Sequence, residues 1–191
     1  PISYSDISIL PGTLDATYSV ITAMDLNNPK ESQITTKGYL GSSQSLYMSN
    51  EALYLTAPIY QQSSAEDNNM STDIRWNPQE INTEIYKFSL NGPNVKFVSS
   101  GEVTGSLLNQ FSMDEHKNYL RVVTTKGVAW NENTPSENNL FILDAGMNQV
   151  SSIVGLGKSE RIYSARFMGD KAYMVTFKET DPLFVIDVSN P

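Results

Sequence analysis

Apolar and polar positions alternate along most of this chain, and nowhere is the three-and-four spacing of an amphipathic helix sustained. Short runs rich in Val, Ile, Thr, Tyr and Phe are separated by clusters of Asn, Gly, Ser and Pro. That is the pattern of strands joined by tight turns. Three blocks, SLYMSNEALYLTAP, QFSMDEHKNYLRVVTT and ARFMGDKAYMVTF, each set two such runs around a short polar turn. Each predicts a hairpin, at residues 46–57, 110–125 and 165–177.

The hairpins belong to a longer repeated unit. The segments VITAMDLNNP, EIYKFSLNGP, LFILDAGMN and LFVIDVSNP each run from an apolar stretch through Asp or Ser into a turn. Their anchors, Asp25, Ser89, Asp144 and Asp187, lie 64, 55 and 43 residues apart. Gly38, Gly101 and Gly155 follow the first three anchors by 13, 12 and 11 residues. Four short strands in about 43 residues is the repeat of a β-propeller blade. The predicted fold is therefore all-β, a propeller segment of four-stranded antiparallel blades cut from a larger ring. It divides as a partial blade at 15–43, blades at 44–104 and 105–157, and a partial blade at 158–191. A blade cannot bury its faces alone. The last partial blade is expected to pair with the N-terminal segment ISYSDISIL or, by edge pairing or dimerisation, with another chain.

The segments GLGKSERIYSARFMGDKAYMVTFKETDPLFVIDVSNP, FSMDEHKNYLRVVTT and NNLFILDAGMNQV resemble the bacterial and archaeal secreted proteins that carry a C-terminal β-propeller domain distantly related to WD repeats. The resemblance is strongest over residues 105–191. It implies a secreted or cell-surface propeller with no assigned reaction, and it brings no catalytic residues with it.

Composition narrows the partners. With 13 basic and 21 acidic residues the formal charge is −8, which disfavours nucleic acid, whose binders carry basic patches. Cysteine is absent, so thiolate metal sites and disulfides are excluded. The apolar runs are too short for a transmembrane helix, and no charged-then-apolar signal segment opens the chain.

Two insertions stand where the second and third strands of a blade connect, residues 58–82 and 126–138. They hold both tryptophans, Trp76 and Trp130, followed by Asn77 and Asn131. A ring beside an amide can stack on a sugar or a peptide. The structural alternative is that each ring covers the end of its own blade. Asp67, Asp73 and, in the third copy, Asp181 are weak candidates for Ca²⁺, though their spacing matches no known calcium loop. The repeated Asp anchors read as organisers of turns, with Ser89 as a weaker substitute. The glycine anchors read as marks of the return from the outer strand. His116, the one histidine, falls in a hairpin turn and reads as an exposed residue. Arg166 sits on a first strand, which lines the axis of a propeller, and is expected to bind an anion or to pair with a carboxylate of the next blade.

The function this supports is a non-enzymatic binding or scaffold module acting on a cell-envelope glycan or protein, with no cofactor. The competing class is an extracytoplasmic hydrolase of glycan or peptide working through loop carboxylates.

Overall fold

Alternating strands bury one set of side chains on each face, and a sheet with two apolar faces needs a neighbour on both sides. The computed structural model describes residues 2–13, 16–27, 34–60, 81–128, 135–177 and 182–191, and it answers that need with four sheets in succession. The first holds β1 (Ile7–Ile9), β2 (Tyr18–Ala23) and β3 (Thr35–Leu40), in the order β1-β3-β2. The second is an antiparallel meander of β4 (Ser45–Met48), β5 (Ala52–Tyr60), β6 (Ile81–Asn91) and β7 (Asn94–Thr104). The third repeats it with β8 (Met113–His116), β9 (Tyr119–Lys126), β10 (Glu137–Leu143) and β11 (Gln149–Leu156). The fourth runs β12 (Arg161–Met168), β13 (Lys171–Phe177) and β14 (Leu183–Asp187). Among the described residues no helix is long and apolar enough to cross a membrane.

The core lies between sheets. Leu53, Leu55, Tyr86 and Phe88 of the second sheet pack against Leu10 and Tyr39 of the first. The intervening positions Tyr54 and Ile85 turn the other way, to Val122, Phe141 and Leu143 of the third sheet. On the far face of that sheet Val123, Leu140 and Ile142 meet Ile162, Ala165 and Met174 of the fourth. Period-two patterning on β5, β9 and β10 thus feeds two interfaces from each strand.

Polar groups at the connections complete the joints. Asn138 is fully buried, and its amide donates to the carbonyls of Leu156, Gly157 and Glu160 at 3.1, 3.2 and 3.3 Å. Its side-chain oxygen accepts from the Thr125 hydroxyl at 2.7 Å, and that hydroxyl in turn accepts from the Ile162 N–H at 3.2 Å. The network satisfies its buried groups while joining the third sheet to the fourth.

Three expectations change in the structure. The N-terminal segment does not complete the fourth sheet; β1 pairs in parallel with β3, Ile7 opposite Gly38, so it extends the first sheet. The turn anchors Asp25, Asp144 and Asp187 do accept backbone N–H bonds, from Asn27 at 2.9 Å, Gly146 and Asn148 at 2.9 and 2.8 Å, and Ser189 at 3.0 Å. Ser89 does not: its hydroxyl donates across the strand pair to the Lys96 carbonyl, because the β6–β7 turn lies two residues further on. The glycine anchors lie within β3, β7 and β11 rather than after them. Gly101 is where the second sheet lets the Met147 turn of the third approach its backbone: a Cβ there would run into the Met147 carbonyl oxygen and stand 3.0 Å from the Met147 Cβ.

Gly101→Ala is expected to lower stability by about 1–3 kcal/mol in urea unfolding, since the obstructing atom is backbone and cannot swing aside. Gly38→Ala meets only side-chain atoms at 3.8 Å and should change little. Equal midpoints for the two variants would contradict this packing.

Candidate functional site

The innermost strand of each of the last three sheets has one free edge: β4, β8 and β12 each end their sheet. Where these edges converge lies a groove of about 360 Å³. Its lining includes Leu46 and Met48 on one side, Arg166 and Phe167 on the other, and Phe111 and Asp114 between them. A second recess of about 490 Å³ continues from it along Leu46, Leu107 and Leu108.

Local sequence places these side chains. The stretch NQFS forms a 3-10 turn ahead of β8: the Asn109 side chain accepts from the Phe111 N–H at 2.9 Å, and Ser112 accepts from the Asn109 N–H. This capping box holds Phe111 up at the groove, where the residue is 46% exposed. On β12, Ala165 is buried and Phe167 packs against the core, which leaves Arg166 to the open side. Its guanidinium carbon stands 4.0 Å from the centre of the Phe111 ring, and one N–H₂ donates to the Ala165 carbonyl at 2.7 Å. Among the described residues no carboxylate lies within 4 Å of it.

Ion pairs at the hairpin turns fix the sheets on either side of the groove. Arg121 is buried against the Phe167 ring, pairs with Asp114 through two N–H groups, and donates to the Gly169 carbonyl at 2.7 Å. Asp114, the acid in the groove wall, is therefore already neutralised. One residue on, the Glu115 carboxylate points away, to Lys87 at 3.8 Å and to the Ser49 hydroxyl. The Tyr54 phenol beside it is pushed well above its ordinary range by burial first and by the Glu115 charge second.

The expectations for the site meet this geometry unevenly. Trp76, Asn77, Trp130, Asn131, Asp67, Asp73 and Asp181 lie outside the described residues. Arg166 faces the groove and stacks on Phe111, in the turn ahead of β8; among the described residues no carboxylate pairs with it. His116 is not simply exposed: its Nε2 lies 3.1 Å from Asp170 of the fourth sheet, which also takes the Lys117 ammonium at 2.8 Å. Among the described residues no group of three or more His, Asp or Glu is gathered to hold a metal. Phe111, the ring under Arg166, was passed over in the sequence; the Asn-x-x-Ser cap before a strand was its only signal.

A family model described as "Beta propeller domain" matches residues 1–191. The chain belongs to that family. An uncharacterized protein of Methanocaldococcus jannaschii is 55% identical over 109 residues, covering 57% of this chain and 17% of that protein. An uncharacterized protein of Archaeoglobus fulgidus is 48% identical over 109 residues, covering 57% of this chain and 16% of that protein. The chain thus matches about a sixth of the length of these curated relatives. Among solved structures, a subtype N10 neuraminidase-like protein of A/little yellow-shouldered bat/Guatemala aligns with a TM-score of 0.41 and 9% identity, over 80% of this chain and 46% of that one. In propeller terms the four sheets are successive blades, and the groove lies at the inner strands of three of them.

The clasp at the blade tips carries a pH signature. Lys117, and then His116, hold the Asp170 carboxyl below the usual carboxylate range. A depressed folded pKa contributes stability above the unfolded value, near 4, and loses it as pH falls through the folded value. The thermal midpoint of the wild type should therefore exceed that of Asp170→Asn at pH 5–6, with the gap closing towards pH 2. A gap that widens on acidification would contradict the clasp.

Proposed function

We propose that this propeller segment is a non-enzymatic binding scaffold whose ligand seats in the groove at the inner strands. The observation that supports the reading most is Arg166: a cation stacked on an exposed ring, with no carboxylate partner among the described residues, at the mouth of an apolar recess. An uncompensated guanidinium with open N–H groups is a recognition element, and a ring beneath it keeps its plane fixed. The surrounding blades supply rigidity, as the buried Arg121 and Lys87 pairs lock the walls. The setting we assign is a secreted or cell-surface protein, with a cell-envelope glycan or protein as partner.

Methionine methyl NMR tests this directly. Met48 lines the groove and is exposed, while Met113, Met147 and Met174 are buried between blades. Titration with cell-wall glycans, peptides and Ca²⁺ should give a saturable shift of Met48 with some panel member, leaving Met147 and Met174 in place. Saturable shifts only at other methyls, or turnover of a panel compound abolished by Ala at one loop acid, would replace the groove with a different face or with the hydrolase.

A further inference from the structure

We propose that the groove recognises the C-terminal end of an extended peptide, an apolar last residue with its free carboxylate. The inference rests on the groove being the ligand site. Three features of one surface converge on that chemistry. The first is charge: Arg166 offers N–H donors that no carboxylate occupies among the described residues, whereas Asp114 nearby is neutralised by Arg121. A carboxylate accepts charge-assisted bonds from such a fork, and the fork's plane is set by its stacking 4.0 Å above the Phe111 ring.

The second feature is the apolar lining. Leu46 and Met48 are 48% and 62% exposed, and with Phe111 they give the groove a surface that gains by being covered. The third is backbone. β4 ends its sheet beside the groove, so the outer N–H and C=O groups of this strand have no neighbouring strand and are open to an added chain. An acyl chain with a carboxylate would use the first two features and leave the third unmet. A peptide uses all three.

Proximity favours the peptide terminus over an internal acidic residue. Arg166 shares the lining of the groove of about 360 Å³ with Leu46, Met48 and Phe111, so a carboxylate on its guanidinium and an apolar group on those side chains sit close together. A C-terminal Leu or Phe carries both on one Cα. The chain's formal charge of −8 does not oppose this strongly. At 0.15 M salt charges beyond ~8 Å are largely screened, while the Arg166 contact is direct.

The test uses fluorescein-labelled pentapeptide pools ending in leucine or phenylalanine, one with free carboxylates and one amidated, followed by fluorescence polarisation. The free-acid pool should bind about tenfold tighter than the amidated pool. Arg166→Gln should erase that preference while the thermal midpoint stays within a few degrees, and dodecanoate should compete poorly. Equal binding of the two pools to the unaltered protein would overturn the carboxylate assignment yet leave the groove reading standing, provided Met48 shifts. Binding of either pool without a Met48 shift would overturn both. No binding by either pool, or dodecanoate displacing them with Arg166 dependence, would overturn the peptide assignment. The acid-against-amide comparison needs no variant, so it decides the matter even if Arg166→Gln folds poorly.

Discussion

Among the described residues each apolar cluster is shared between two sheets, and the rest of the structure follows from that constraint. Tyr54 and Leu143 come from different blades yet bury each other's surroundings, as do Ile142 and Met174. A single four-stranded sheet has two faces to cover and only itself to do it with. Stability therefore resides in the joints. The polar devices obey the same logic: Asn138, Arg121, Glu115 and Asp170 each tie a blade to its neighbour or hold the backbone where the neighbour arrives.

The groove is a by-product of those joints. Its walls belong to three sheets, so no single sheet carries the site. Arg166 comes from β12 and the ring beneath it from the turn before β8, and their 4.0 Å approach exists only because the third and fourth sheets are stacked. A lattice of buried ion pairs costs desolvation, and its net contribution to stability is modest. Its value here is positional. Removing one partner of the Lys87–Glu115 pair would leave a charge enclosed at a joint, whereas keeping both fixes the height of one blade tip against the next.

Much of the fold could be read from residue order because its causes are local. Period-two alternation marks strands, Asp before Asn or Gly marks a turn, and the recurrence of both at a blade-like interval marks the all-β propeller. The Asp144 turn is the clearest case, since its carboxylate meets the two N–H groups that the sequence places just beyond it. What escaped reading depends on which atoms face each other across a joint. The Gly101 contact with Met147, the Asp170 bond to His116 and the Arg166 stack on Phe111 all join residues more than 40 positions apart. Periodicity reveals that a side chain leaves a given face; it does not reveal what waits there. The parallel seat of β1 beside β3 was hidden for the same reason.

The claim that stability belongs to joints rather than to sheets is tested most directly by Leu143→Ala, followed by native-state amide hydrogen exchange. Leu143 lies on the third sheet and is fully buried against the second. The cavity should cost about 2–5 kcal/mol. If the joint is the unit, exchange will accelerate on β5, across the interface, by a factor similar to that on β10. Faster exchange confined to β8–β11, with β5 unchanged, would show that each sheet stands alone and would contradict this account.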